Sequence, residues 1–319
     1  MYLTPRMLRP GDQVAIVAPA SPFRTDELVE SLDVVKEVGL VPVFGPNVRN
    51  MRPDGIHAAP VEERVEELMW AYDDPEIKGL FVATGGNGSA GVLPYLDYET
   101  IARTRKVLLG MSDITALNSG ILARAGLISI SGQSLNVRLD EGRMIREADT
   151  FSLRSTLDLL MSSQPWGTTP FCANQYMPRT ISPGRAQGTV VGGNCDTFVH
   201  LLGTPYFPNV AGCILFIEDT HKEGSVLARQ LLHLRLAGVL DAVAGIVIGE
   251  FTDVPKGVDK GHPSPTIEDV LLEYFVDGPP CVYGYSFSHG PITIPLPIGA
   301  QCSMDADTGE VSFQFAMGR

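Results

Sequence analysis

Residues 106–118 read Lys-Val-Leu-Leu-Gly-Met-Ser-Asp-Ile-Thr-Ala-Leu-Asn, a short apolar strand that passes through a Gly-x-Ser-Asp turn straight into a helix. Val107, Leu108 and Leu109 read as a buried parallel strand. Gly110 permits a tight turn, and Ile114, Leu117, Ile121 and Leu122 begin an apolar helical stripe behind Ser112. A serine so placed stands at the positive end of a helix, where the N–H of Asp113 would face an oxyanion formed by attack of Ser112 on a carbonyl. The turn lacks the second glycine of a Gly-x-Ser-x-Gly elbow, because position 114 is Ile, and Ser-Asp is also an ordinary helix start. The rest of the chain has to decide between the two readings.

Outward from this turn, strand and helix alternate: strand at 13–19, helix at 27–38, strand at 40–44, helix at 61–72, strand at 79–83, and a further strand at 127–131. That order predicts an α/β fold with a mostly parallel N-terminal sheet flanked by helices, and its ligand site lies in loops after the strand C-termini. Between 162 and 188 the regularity lapses into Pro165, Trp166, Gly167, Pro170, Pro178, Pro183 and Gly184. The division expected is an N-terminal domain at 1–163 carrying Ser112, a linker at 164–186, and a smaller β-rich α/β C-terminal domain at 187–319. Strands are expected there at 189–191, 213–217 and 244–248, a helix at 225–236, and a β-rich end at 300–315.

At 319 residues the chain has room for two cores, and 44% hydrophobic with 19% charged residues is ordinary globular composition. A net charge of -13 with no local cluster of Lys or Arg argues against nucleic acid as a partner. Five scattered cysteines, none in Cys-x-x-Cys spacing, read as reduced structural thiols, so no metal and no cofactor are expected. Ala18-Pro19-Ala20 imitates a signal-peptidase site, but its apolar core is too short for export, and no stretch approaches a membrane span. A cytoplasmic protein without membrane contact is the expectation.

Ser112 needs a base. Among six histidines, His200 and His233 fall in helical apolar runs, whereas His289 stands in an irregular Phe-Ser-His-Gly-Pro segment at 287–291 that can present the ring. An acid that fixes the imidazole tautomer is Glu218 at the end of the apolar strand, with Asp219 its rival on the opposite face. Thr84-Gly85-Gly86-Asn87-Gly88-Ser89 also follows a strand, and its glycines suit an oxyanion hole, a phosphate nest or a plain flexible loop. Gly192-Gly193-Asn194 has the same ambiguity.

Together, Gly110-Met111-Ser112-Asp113, Ile217-Glu218-Asp219 and the segment from His289 to Pro297-Ile298-Gly299 resemble the active-site segments of the LD-carboxypeptidase family. These are cytoplasmic serine peptidases that include murein tetrapeptide carboxypeptidases and microcin C self-immunity peptidases. The likeness runs along nearly the whole chain. It takes in Leu8-Arg9-Pro10-Gly11-Asp12, Leu202-Gly203-Thr204-Pro205-Tyr206 and Leu234-Arg235-Leu236-Ala237-Gly238. The resemblance implies Ser112 as nucleophile, His289 as base, Glu218 as its orienter, and oxyanion donors from Asp113 and the Gly85-Gly86 loop. It also implies a homodimer acting on a small peptide or peptide-nucleotide substrate.

The chain departs from the murein-type pattern, Arg-Gly-Gly-Tyr-Gly with a further Arg, at Thr84, Asn87 and Gly91. It is closer there to the microcin-immunity branch, leaving Arg138 or another distant residue to meet a substrate carboxylate. Asn87 and Trp166 are the candidate substrate contacts, Trp166 as a platform for a base. The rival from another class is a non-catalytic two-domain protein that closes on a small ligand, which would not need Ser112, Glu218 and His289 to converge.

Overall fold

The computed structural model describes residues 2–136, 143–168, 178–255, 258–259 and 262–318. In the first half, apolar runs form β1 (Gln13–Val17), β2 (Val41–Phe44), β3 (Ile77–Val82), β4 (Val107–Leu109) and β5 (Ser129–Ser131), all parallel in the order β2-β1-β3-β4-β5. Residues 14–17 of β1 and all of β4 are buried because helices cover both faces, the usual condition of parallel strands. The helices are α1 (Val29–Glu37), α2 (Pro46–Arg49), α3 (Val61–Asp73), α4 (Tyr98–Thr104), α5 (Thr115–Ala125) and α6 (Arg143–Leu160). In α3 the inward positions are Arg64, Glu67, Leu68, Ala71 and Tyr72, a stripe of helical period in which two charged residues stand among the apolar ones.

The C-terminal half builds a wider sheet. Its elements begin with β6 (Trp166–Thr168), β7 (Arg179–Ser182), β8 (Arg185–Asn194), α7 (Cys195–His200), β9 (Ile214–Thr220), α8 (Gly224–Leu236) and β10 (Gly245–Thr252). A two-stranded ribbon, β11 (Val258–Asp259) with β12 (His262–Pro263), precedes β13 (Cys281–Tyr285), β14 (Leu296–Ile298), β15 (Gln301–Asp305) and β16 (Glu310–Phe315). Eight of these strands run in the order β6-β16-β15-β8-β9-β10-β13-β7. β8 pairs antiparallel with β15 along its first half and parallel with β9 along its second, so one strand joins an antiparallel flank to a parallel centre.

Two expectations change. The stretch read as a linker supplies β6 and β7, the two edge strands of the eight-stranded sheet. Their Pro- and Gly-rich surroundings suit sheet edges, where no second neighbour needs the missing N–H. The boundary at 163 is also crossed by the chain itself: β14 leaves the C-terminal half and pairs antiparallel with β5, adding a sixth strand to the N-terminal sheet.

The two halves are also stitched where β8 ends. Gly193, at φ 132°, lies so close to α5 that a Cβ there would come within 2.6 Å of Thr115 Oγ1, and the neighbouring Asn194 N–H donates to that oxygen at 2.9 Å. Thr115→Val keeps the shape and removes the acceptor. We expect it to lower unfolding free energy by about 1–3 kcal/mol, the cost of an unsatisfied buried N–H. An unchanged urea midpoint would show that the contact carries no weight.

Candidate active site

Ser112 sits between β4 and α5 at φ 63°, one of four non-glycine residues with positive φ among those described. The strained left-handed conformation therefore falls on the serine itself. Gly110 serves another purpose: its backbone is not left-handed, and a Cβ there would lie 3.0 Å from Ile114 and 3.1 Å from Val82. The glycine leaves room for the strand to meet the helix, and the turn follows at Ser112. A short turn of 3-10 helix, Ser112–Ile114, leads into α5, so the Asp113 N–H is among the helix-start donors that lack intrahelical partners.

Ser112 and His289 line one cavity of about 380 Å³, together with Gly85 and Gly86 of the glycine loop, Asn136, and Asp253 at the end of β10. The loop meets the serine closely, since a Cβ on Gly85 would stand 2.9 Å from Ser112 Cβ. His289 Nδ1 lies 2.7 Å from Glu218 Oε2, and the same oxygen accepts the His289 backbone N–H at 3.3 Å. Holding both nitrogens fixes the ring, and Nδ1–H donation to a carboxylate leaves Nε2 as the basic nitrogen. Glu218 is 2% exposed, and Gly249 on the adjacent strand makes space for it: a Cβ there would approach Glu218 Cβ to 2.9 Å.

Of the two neighbouring acids on β9 it is Glu218 that bonds His289, while Asp219 accepts the Asp196 N–H at 3.0 Å and the Thr220 N–H at 2.8 Å. Asn194, beside Glu218 in the β8–β9 pairing, bridges the two acids through Nδ2, at 3.3 Å to Glu218 and 3.0 Å to Asp219. Burial, and then the charge of Glu218, raise the Asp219 carboxyl to about 6.

Of the residues expected at the site, Ser112, His289, Gly85 and Gly86 reach the cavity wall, with Glu218 behind His289. Asp113, which directly follows Ser112, is not among the lining residues, and neither are Asn87 and Trp166. The Asn87 backbone N–H turns to Ser21 Oγ at 3.0 Å, and its side chain lies on the exposed side of the loop. Trp166 packs half-buried against the core at the sheet edge, opposite Phe315. An edge strand, not a cleft loop, claims that indole. Arg138 lies outside the described residues. Arg64, Ser21 and Asp253 carry no local signal, because an arginine in an amphipathic helix, a serine after a strand and an aspartate in a turn are all ordinary surface residues.

A strained serine at a strand-to-helix turn, a carboxylate-held histidine on the same cavity and a glycine loop beside them are the parts of an α/β serine hydrolase. The family follows from the sequence as a whole. The N-terminal domain model of the LD-carboxypeptidases matches residues 14–132 and the C-terminal domain model residues 187–304, and the chain belongs to that family of serine-type carboxypeptidase-like hydrolases. It is 31% identical to a probable murein peptide carboxypeptidase of Bacillus subtilis, over 94% of this chain and 91% of that one. To the microcin C7 self-immunity protein MccF of Escherichia coli it is 27% identical, over 92% and 90% of the two chains. The solved structure of MccF in complex with glutamyl sulfamoyl guanosine superposes with a TM-score of 0.85 at 24% identity, covering 99% of this chain and 100% of that one.

Because the folded Asp219 binds its proton more tightly than an unfolded aspartate, its contribution to stability is present at low pH and is lost as pH rises from about 4 through about 6. Asp219→Asn removes that titration. Relative to wild type, the variant should gain about 2 kcal/mol between pH 4 and pH 7. Urea unfolding at the two pH values reads the difference, and a pH-independent gap between the proteins would contradict the raised pKa.

Proposed function

We propose that the chain is a serine peptidase or amidase that hydrolyses a terminal amide of a small peptide or peptide-like conjugate through Ser112, His289 and Glu218. The observation that carries this reading is the carboxylate-held imidazole on the same cavity as the strained serine. Ser112 Oγ attacks the carbonyl carbon while His289 Nε2 takes its proton, and Glu218 stabilises the resulting imidazolium. The N–H groups of Asp113 and of the Gly85-Gly86 loop hold the oxyanion. As the intermediate collapses, His289 returns the proton to the departing nitrogen, and water then releases the acyl group from Ser112 by the same route. The non-catalytic reading has no use for this arrangement. By the resemblance, the enzyme works in the cytoplasm as a homodimer.

Ser112→Ala should fold normally and lose turnover by about 10⁴-fold or more, and Glu218→Gln by about 10²–10⁴-fold, while Asp219→Asn should do much less. Near-normal hydrolysis by folded Ser112→Ala protein would remove the mechanism, and a larger loss at Asp219 than at Glu218 would move the orienter.

For the substrate, the glycine loop is the guide: Thr84, Asn87 and Gly91 stand where the murein-type pattern carries arginine, tyrosine and a further arginine. A murein carboxypeptidase must receive the free carboxylate of its departing D-amino acid, for which a bidentate arginine is the natural partner. Among the described residues lining the cavity there is no arginine or lysine, and Asp253 adds a negative charge. That leaves a departing carboxylate without a charged partner among the described lining residues, and together with the departures at Thr84, Asn87 and Gly91 it favours an aminoacyl-nucleotide conjugate over a cell-wall tetrapeptide. Side-by-side assays with a murein tetrapeptide and an aminoacyl sulfamoyl adenylate decide it. Efficient release of D-alanine with no cleavage of the nucleotide conjugate would reverse the preference and leave the serine mechanism standing.

A further inference from the structure

The stretch 84–88 has no regular secondary structure of its own and leads into a 3-10 turn at Ser89–Tyr95, yet its turning points are bonded to other segments. Gly85 O accepts the Ser21 N–H at 3.2 Å, and the Asn87 N–H donates to Ser21 Oγ at 3.0 Å. The peptide unit joining Gly88 to Ser89 is held at both ends. Its carbonyl accepts from Arg64 Nη1 at 2.8 Å and from the Gly91 N–H at 3.1 Å, and its N–H donates to Asp113 Oδ2 at 2.8 Å. In a trans peptide the C=O and N–H point in opposite directions, so fixing Gly85 O on Ser21 sends the Gly86 N–H the other way. Among the described residues, no acceptor takes that N–H.

Arg64 is unlike the other anchors. It is 2% exposed, and among the described residues its hydrogen bonds go only to main-chain carbonyls: Nε to Ala59 O at 2.9 Å, Nη1 to Pro19 O at 2.7 Å and to Gly88 O. These carbonyls come from three separate segments, the turn after β1, the approach to α3, and the glycine loop. A planar fork with five fixed donors can join them, whereas a point-like ammonium cannot reach all three in one geometry. The loop backbone also lies directly on this support, since a Cβ at Gly88 would stand 2.2 Å from the His57 ring and 3.3 Å from Arg64 Nη1.

We propose that Arg64 is a positioning residue for oxyanion binding: by tying Gly88 O to the framework of α3 and β1, it keeps the N–H groups of Gly85 and Gly86 aimed beside Ser112. The inference rests on the serine mechanism proposed above and adds to it a buried cation that never touches substrate. Its loss should act on the transition state, where charge develops on the oxygen, and leave ground-state binding nearly untouched.

The test needs no known substrate. An alkyl fluorophosphonate transfers its phosphonyl group to a serine Oγ with loss of fluoride, and the developing charge on its oxygen uses the same N–H donors. We would measure the second-order rate of labelling at Ser112 for wild type and Arg64→Lys, on protein shown to be folded by its thermal melt. Arg64→Lys should label at least about tenfold more slowly than wild type at a temperature where both are fully folded. With whichever of the two substrates is turned over, kcat should fall and KM stay within about twofold. If Arg64→Lys does not fold, Arg64→Gln, which carries no buried charge, is read in its place. Folded Arg64 variants that label at the wild-type rate, or failure of both variants to fold, would assign Arg64 to stability alone and overturn the proposal. Wild-type protein in which Ser112 resists labelling would instead overturn the serine reading itself.

Discussion

The constraint on which the site depends is the close approach of one backbone to another: loop 84–89 runs so near Ser112 that a Cβ on Gly85 would sit 2.9 Å from Ser112 Cβ. Real Cβ atoms do not come so close, so any side chain at Gly85 would push the loop from the serine. On its other side the loop meets Ser21, where a Cβ at Gly86 would lie 2.3 Å from the hydroxyl oxygen. The glycines of this stretch are thus required by contact on both sides. A main chain can come this close only without a Cβ, and its N–H groups are the ones proposed above to hold the oxyanion.

A loop without regular structure holds such a place only if neighbours supply the bonds it does not make internally. Helix α3 supplies them from one face, three residues apart. Arg64 gathers carbonyls after β1 and β3. Glu67, 1% exposed, accepts the Ala18 N–H at 2.6 Å and the Asn47 N–H at 2.8 Å, which joins the end of β1 to the start of α2. The two charges are not partners in any direct bond; each is spent on backbone groups of the opposite polarity. Burial raises the Glu67 carboxyl and lowers the Arg64 guanidinium, the direction expected when solvation is replaced by neutral dipoles.

These features explain what was legible in the sequence. The parallel strands could be read because strands buried on both faces must be apolar runs, and Val107 to Leu109 is one. The serine turn could be read because strand, turn and helix follow one another without a gap. The acid could be narrowed to two neighbours because both stand at the end of an apolar strand, and the hydrogen bond to His289 picks out Glu218. What could not be read depends on contacts distant in sequence. Trp166 looked available because a Pro-rich stretch resembles a linker, and only pairing with Phe315 makes it part of a sheet. Asn87 reads as a contact because it departs from the murein-type loop pattern, but Ser21, far earlier in the chain, captures its N–H. Arg64 has the sequence context of a solvent-facing helix residue, and nothing local tells its inward direction.

The histidine comes from the other half of the molecule, so its placement depends on how the halves join. Its loop is bounded by a bond to α6, where the Thr293 N–H donates to Ser152 Oγ at 2.9 Å, and by β14, which enters the N-terminal sheet beside β5. Glu218 is carried by β9, whose neighbour β8 is bonded to Thr115 three residues beyond the serine. Both C-terminal contributors are therefore tied to N-terminal elements within a few residues of their functional groups. A hinge between the halves would have to break a β-ladder and two buried hydrogen bonds before it moved His289 away from Ser112.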